Sequence, residues 1–528
     1  MGAVSYEEAD RRKVRLLKDA GYNAIRSAHN PASQAILNAC DEYGMYLMDE
    51  LYDMWYIHKS KYDYANLTEK NWKKDMADMI AQDYNHPSVV MYSIGNEISE
   101  TAQKQGPEWT RMLTEGCHAM DSTRPVTCCV NLMLDALISV GLGVYKETDV
   151  NKAAEKGNKV KKTPLSGSTF INRLINAANW GMQAIAWLPI TDRATKKSFA
   201  EMDVCGYNYG QIRYLKDKKK YPDRVIVGSE TLLRDLASNW KKVKENKHLI
   251  GDFVWSAWDY LGEAGVGSWA YEAESGFTKG YPWLLADCGL YDITGYLTTQ
   301  GQYSKTVFNE RIKPVIAVSQ VHHAGEKHCA STWRMTNTIE CWSFEGQEGK
   351  QAEIEVYSAA PFVELKVNGK SLGKKACGES KKYIAHFKTV YQPGNLEAIA
   401  YDQEGKVLET SMLCTAGKEN ILTLSPEKLE LCADSQDLCY LNIEITDQNG
   451  TIKMSKDTEV TVKVTGAGKL VGLGSANPRT EERYYENTWR TYLGRAQAII
   501  QSTEISGAIH VEVSANGYET KEVTIQVK

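Results

Sequence analysis

The sequence predicts an α/β fold: a (β/α)8 TIM barrel lacking its first strand, followed by two β-sandwich domains. Three observations carry this expectation. Seven short apolar stretches alternate with helical ones up to residue 313, the pattern of a parallel sheet with crossover helices. Residues with functional chemistry (Arg26, Glu50, Glu97, Tyr209, Glu230, Asp259) stand at the C-terminal ends of those stretches. A barrel builds its site at that end, whereas a doubly wound sheet gathers it at one crevice. After Pro314, period-2 apolar alternation replaces the helices, as antiparallel β domains require.

The elements follow in order. Residues 5–20 form an amphipathic helix with Val14, Leu16, Leu17 and Ala20 on its apolar side and Gly21 to cap it. Strands are expected at Asn23–Arg26, Tyr46–Glu50, Val89–Glu97, Pro125–Val130, Val204–Tyr209, Arg224–Glu230 and Leu249–Tyr260. Helices are expected between them at Ala32–Tyr43, Asn71–Asn85, Glu108–Asp121 and Phe170–Gly181. A closed barrel needs an eighth strand, which would have to precede residue 5, so the first strand is expected to be missing. An open barrel exposes strand edges, and a homo-oligomer would cover them. Beyond the barrel, strands are expected at Glu353–Tyr357, Phe362–Asn368, Leu396–Asp402, Leu441–Asp447, Glu459–Val464, Ile509–Ala515 and Glu522–Val527, punctuated by Asn-Gly turns at Asn368, Asn449 and Asn516. Two sandwiches of about 100 residues fit, split near Ala416–Asn420, which gives domains over 1–313, 314–417 and 418–528.

Composition excludes several classes. Hydrophobic residues make up 43% and charged residues 24% of the 528, the balance of an ordinary globular chain. A net charge of −5 argues against nucleic acid as a partner. No apolar run approaches the ~18 residues of a membrane span, and the charged N-terminus has no apolar signal core. The twelve cysteines are dispersed, with one adjacent pair, Cys128-Cys129, and no C-x-x-C. That pattern reads as reduced thiols in the cytoplasm. His322, His323, His328 and Cys329 read as solvated side chains rather than metal ligands. Gly466-x-Gly468 has no following helix and is no nucleotide loop, and the basic run Lys216–Lys220 reads as a solvated helix end. No metal ligand set and no cofactor motif can be assigned.

Two apolar strands end on carboxylates: NHPSVVMYSIGNE closes on Asn96-Glu97, and RVIVGSE closes on Glu230. Such a pair across a barrel mouth is what hydrolysis of a glycosidic bond needs, one acid for the leaving oxygen and one ionised carboxylate for the anomeric carbon. These stretches, with GYNAIRSAHNP (21–31), LMDELYDMW (47–55), RPVT (124–127), DVCGYNYG (203–210) and GDFVWSAWDYLGE (251–263), closely resemble the catalytic barrel of glycoside hydrolase family 2. The family includes β-galactosidases, β-glucuronidases and β-mannosidases. CADSQDLCYLNIEITDQNG and GAGKLVGLGSANP are similar to the immunoglobulin-like β-sandwich modules that follow the barrel in many bacterial members.

The resemblance implies a retaining mechanism with Glu97 as acid/base and Glu230 as nucleophile. Glu230 has to stay ionised, which calls for a cation and a donor: Arg26 is the candidate cation, and Tyr209 the donor, with Tyr207 of the same motif as the alternative. Asn96 matches the family residue that binds the sugar 2-hydroxyl, and His29 and Asn30 match the loop lining the sugar subsite. Trp255 matches the sugar platform, ahead of Trp55 and Trp258. Some family members hold divalent ions, but the resemblance assigns no ligands here. Family members carry a jelly-roll and an immunoglobulin-like domain before the barrel, and neither is in this sequence. Tyr92 and Phe308 stand where tryptophan is common. Glucuronidases show an Asn-x-Lys pair after the nucleophile strand that is not found here, so a neutral sugar, galactose first, is expected as the substrate. β-Glucuronidase, β-mannosidase and a catalytically silent carbohydrate-binding remnant are the alternatives.

Overall fold

The structure, a computed structural model, describes residues 5–142, 179–271 and 279–528. The chain divides into two compact units, one over 22–255 and the other over 1–21 together with 256–528.

The unit over 22–255 is built on seven strands: β1 (Ala24–Arg26), β2 (Tyr46–Glu50), β3 (Val89–Asn96), β4 (Val126–Asn131), β5 (Val204–Asn208), β6 (Val225–Leu232) and β7 (Leu249–Trp255). All pair in parallel and in sequential order, each at a position the sequence predicts. The last strand stops at Trp255 rather than Tyr260. Among the described residues β1 and β7 pair on one side only. Helices Gln34–Tyr43, Ala65–Asp83 and Gly106–Met120 cover the sheet where helices were expected. The first is capped by the Ser33 side chain, which accepts from the Ile36 amide, and by left-handed Gly44. The helix expected at Phe170–Gly181 lies, apart from its last three residues, outside the described residues; a helix spans Asn179–Trp187.

Strand parity divides this unit into two cores. Leu47, Tyr92, Ile94, Cys128, Val130, Cys205, Tyr207 and Ile226 face the helices and pack with Leu37, Met76, Ile80 and Leu113. The opposite parity turns inward, where Met48, Met91, Cys129, Val204 and Val227 form an apolar floor. Both faces are therefore buried, which is why these strands read as nearly continuous apolar runs. Two residues further along the inward parity the side chains turn polar: Glu50, Ser93, Asn131 and Ser229. The register sets Glu50 beside Ser93, Asn131 beside Asn208 and Asn208 beside Glu230. That alignment puts the polar ends on one rim above the floor.

In the other unit, helices span Glu7–Asp19 and Thr299–Phe308. Two four-stranded sheets enclose one core. The first runs Thr338–Ile339, Val315–Ser319, Gln351–Tyr357, Ile384–Val390, and the second Lys370–Ala376, Phe362–Val367, Asn395–Tyr401, Val407–Cys414. Trp342, Ile354, Val363, Phe387 and Leu396 are buried between them. Asn368 and Gly369 both have positive φ, +49° and +79°, as the tight hairpin predicted there needs. A further four-stranded and a five-stranded sheet, drawn from 421–527, share a second core around Leu441, Val462, Trp489 and Val511. All twelve cysteines are free thiols. No helix among the described residues is long and apolar enough to cross a membrane.

Candidate active site

Arg26, at the end of β1, is the hub of the rim. Its Nε and Nη2 donate to both oxygens of Glu50 at 2.8–3.0 Å. Its Nη1 reaches Glu230 Oε2 at 3.0 Å and the Ser229 carbonyl at 3.0 Å, and Nη2 also reaches Asn96 Oδ1 at 2.7 Å. Glu50 is fully buried and further bonded by His29 Nδ1 at 2.8 Å and Ser93 Oγ at 2.7 Å. Burial alone would raise its carboxyl, but Arg26 and His29 hold it down to about 2. It is therefore a permanent anion that fixes the guanidinium and the imidazole. His29 is shifted up: burial works against its charge, and the bond to Glu50 overcomes it. The His29 ring lies flat on Trp255, with centroids 5.2 Å apart and planes 3° from parallel.

Glu97 and Tyr209 are the first residues past β3 and β5, and both have left-handed backbones, φ +44° and +52°. Side chains other than glycine rarely enter that region, at roughly 1–3 kcal/mol each. Each is pinned by its own amide: Glu97 N–H donates to the Cys129 carbonyl and Tyr209 N–H to the Glu230 carbonyl, both at 2.7 Å. The turn matters for Tyr209. Strand parity alone would place it with Tyr207, which faces the helices and donates to Asp217 at 2.6 Å. The left-handed step instead aims its hydroxyl at Glu230 Oε1, to which it donates. Of the two tyrosines in the motif, Tyr209 is the one beside Glu230.

The two glutamates share a donor. Asn208 Nδ2 stands 3.2 Å from Glu97 Oε1, 3.2 Å from Glu230 Oε2 and 2.9 Å from Asn96 Oδ1, and its own carbonyl oxygen accepts from Ser229 Oγ at 2.7 Å. A Cβ at Gly206 would stand 2.7 Å from the Cys128 carbonyl and 3.0 Å from that Ser229 hydroxyl, so the bare backbone there keeps the strands close enough for the contact. A second amide, Asn131 Nδ2, donates to Glu97 Oε1 at 2.7 Å, while its oxygen caps the helix Leu132–Ile138. Both amides thus converge on one oxygen of Glu97. Around Glu230, burial and then the charge of Glu97 push the carboxyl up, and Arg26, His29 and Tyr209 pull against them without reversing the direction.

The sequence candidates divide as follows. Arg26, His29, Asn96, Glu97, Tyr209, Glu230 and Trp255 come together on one rim. Asn30 does not join them; it is exposed and donates to the Pro31 carbonyl. Trp55 is fully buried, its indole N–H spent on the Ile94 carbonyl, which makes it core. Asn208, Asn131, Asp53 and Lys59 were not anticipated. Asn208 and Asn131 share the inward parity of neighbouring strands, the one signal in the sequence that points to them. No cluster of His, Cys, Asp and Glu suited to a metal ion exists among the described residues. His323 stacks on Tyr271 and His328 on Trp269.

Residues 2–183 match the model of the glycosyl hydrolases family 2 TIM barrel domain and residues 422–524 that of glycoside hydrolase family 2 C-terminal domain 5. Residues 349–409 match a domain of unknown function. The chain is 26% identical to the β-galactosidase BoGH2A of Bacteroides ovatus over 98% of its own length and 58% of that protein's. It is 34% identical to the β-glucuronidase of Mus musculus over 23% of this chain and 18% of that one. The crystal structure of a glycosyl hydrolase family 2 member from Bacteroides cellulosilyticus superposes with a TM-score of 0.83 at 32% identity, covering 100% of this chain and 60% of that one. The chain thus spans about three-fifths of the length of the relatives that match it throughout.

Proposed function

Because this chain belongs to glycoside hydrolase family 2, we propose that it hydrolyses terminal β-linked sugars with retention of configuration, as a β-galactosidase-like exo-glycosidase with Glu97 as acid/base and Glu230 as nucleophile. The observation that carries this reading is the shared Asn208 amide. With Glu97 Oε1 and Glu230 Oε2 each 3.2 Å from one nitrogen, the nearest carboxylate oxygens lie no further apart than twice that distance. This is compatible with the ~5–5.5 Å of a retaining pair and below the ~6.5–9.5 Å that leaves room for an inverting water.

The donors divide the labour. Glu230 receives a guanidinium, a phenol and an amide, all of which favour its ionised form against the upward push of burial. Glu97 receives only amides, both on Oε1, so among the described residues its Oε2 is left to carry the proton. In the first step a Glu230 oxygen bonds to the anomeric carbon while the Glu97 proton passes to the departing glycosidic oxygen. In the second, Glu97 takes a proton from water, whose oxygen bonds to the anomeric carbon and displaces Glu230. Asn96 accepts from Arg26 and Asn208 through its oxygen. That leaves its Nδ2, at 3.0 Å from Asp53 and a long 3.4 Å from His29, as the donor for a sugar hydroxyl. Trp255, backed by the His29 ring, offers the apolar face of a pyranose a surface.

The choice of galactose rests on the β-galactosidase relative that spans nearly the whole chain. The short, more identical match to a β-glucuronidase makes the uronide the second substrate to try. Hydrolysis of an aryl β-D-galactoside and an aryl β-D-glucuronide, with the first-formed anomer followed by proton NMR, tests the proposal. The parent chain should release the β-anomer first, and Glu230→Gln should lose at least 10³-fold in kcat. Equal rates for parent and Glu230→Gln, or an α-anomer formed first, would overturn it.

A further inference from the structure

Asp53 lies just beyond β2 and takes no part in the chemistry described above. Its Oδ1 accepts from Lys59 Nζ at 2.6 Å and from Asn96 Nδ2 at 3.0 Å, and the same Lys59 Nζ donates to the Asn96 carbonyl at 2.8 Å. These three bonds close a ring around Asn96, the residue next to Glu97. Asp53 Oδ2 has no hydrogen-bond partner among the described residues, and a third of the side chain (33%) is exposed, against 0% for Glu50 and 8% for Glu230. Burial pulls its carboxyl up, but Lys59 and His29 hold it down to about 2. Asp53 is thus an anion with one oxygen tied and one open, one hydrogen bond from the Asn96 amide that faces the sugar.

The chemistry of that oxygen narrows what it receives. An ionised carboxylate only accepts, so its complement is an O–H or N–H donor. A metal is disfavoured, since no suitable ligand cluster surrounds it among the described residues. A uronate would bring a second carboxylate against Asp53, while the charge of Lys59 is already paired with Asp53 and the Asn96 carbonyl. A neutral pyranoside brings hydroxyls. We infer that Asp53 is a specificity-determining residue: its open Oδ2 accepts a hydroxyl of the bound sugar and selects a neutral hexopyranoside over a uronide. This deepens the glycosidase reading and rests on it.

The test is kcat/KM for aryl β-D-galactoside and aryl β-D-glucuronide with the parent, Asp53→Asn and Asp53→Ala, extended to the 3-, 4- and 6-deoxy aryl galactosides. Asp53→Asn keeps an oxygen for Lys59 and Asn96, so it serves if the alanine variant folds poorly. The galactoside should lose about 10- to 100-fold in either variant, the size of one charge-assisted hydrogen bond, and the galactoside-to-glucuronide ratio should fall at least tenfold. One deoxy sugar should already show that loss in the parent and show no further loss in the variants. Equal losses on both sugars and on every deoxy sugar would overturn the inference and leave Asp53 as a brace for Asn96. That result would leave the proposed function standing as long as the parent is active and Glu230→Gln is not. A parent inactive on both glycosides would overturn the proposed function and this inference with it.

Discussion

Glu50→Gln is the substitution whose consequence follows most directly from the structure. The replacement keeps the shape of the side chain but removes the negative charge from a fully buried site where one guanidinium makes three contacts of 2.8–3.0 Å. It also turns one acceptor oxygen into a donor that faces Arg26 or His29. Two routes to the magnitude agree. Breaking a buried ion pair by removing one partner costs about 3–5 kcal/mol. Independently, holding the Glu50 carboxyl from its ordinary value of 4.5 down to about 2 is worth roughly 3 kcal/mol of folding free energy at neutral pH. The sign follows from the depression of the folded-state value: the contribution is full above pH 4.5 and is lost as pH falls toward 2, with more than half gone by pH 3. Backbone hydrogen exchange in β1 and β2 under guanidinium reads the opening of this unit alone, which a whole-chain melting curve would not do in a multidomain protein. The parent should exceed Glu50→Gln by about 3 kcal/mol at pH 7, and the gap should shrink by more than half between pH 5 and pH 3. A gap under about 1 kcal/mol at pH 7, or one that does not change with pH, would refute the reasoning.

Two further outcomes are expected. Tyr209→Phe removes a donor that favours ionised Glu230, so the nucleophile should titrate higher and the acid limb of the kcat/KM–pH profile should move to higher pH; a stationary limb would show that the phenol does not tune Glu230. Asp83, buried beside Asp49, is pushed up to about 8 by burial and by its neighbour's charge. The unfolded chain ionises this group first, so its contribution to stability is lost as pH rises from about 4 to 8. Asp83→Asn should therefore raise the guanidinium midpoint of β2 and β3 exchange, by an amount that grows from pH 5 to pH 8, and a gain independent of pH would contradict this account.

Seven strands, their parallel order and the two glutamates as candidates are legible in the sequence, because each is written locally. A strand buried on both faces must be apolar along its length, and a carboxylate that closes such a run stands out against it. The hairpin-rich character of the region beyond residue 314 was equally local, carried by alternation and by the turn at Asn368-Gly369. Partner strands at the sheet edges, such as Lys370–Ala376 and Gly468–Gly474, escaped because polar or glycine-rich edges carry no period. The furnishing of the site lay beyond local signals. Asn131, Asn208, Asp53 and Lys59 are ordinary polar residues until the register sets them against a partner: Asn208 becomes the bridge between the glutamates because β5 pairs it between Asn131 and Glu230. Tyr207 and Tyr209 differ by one strand period and would share a face if the strand continued; a single left-handed residue sends one to the helices and the other to the nucleophile. Local propensity fixes what a segment is, but what a side chain touches depends on inter-strand stagger and on one backbone dihedral, and only long-range packing sets those.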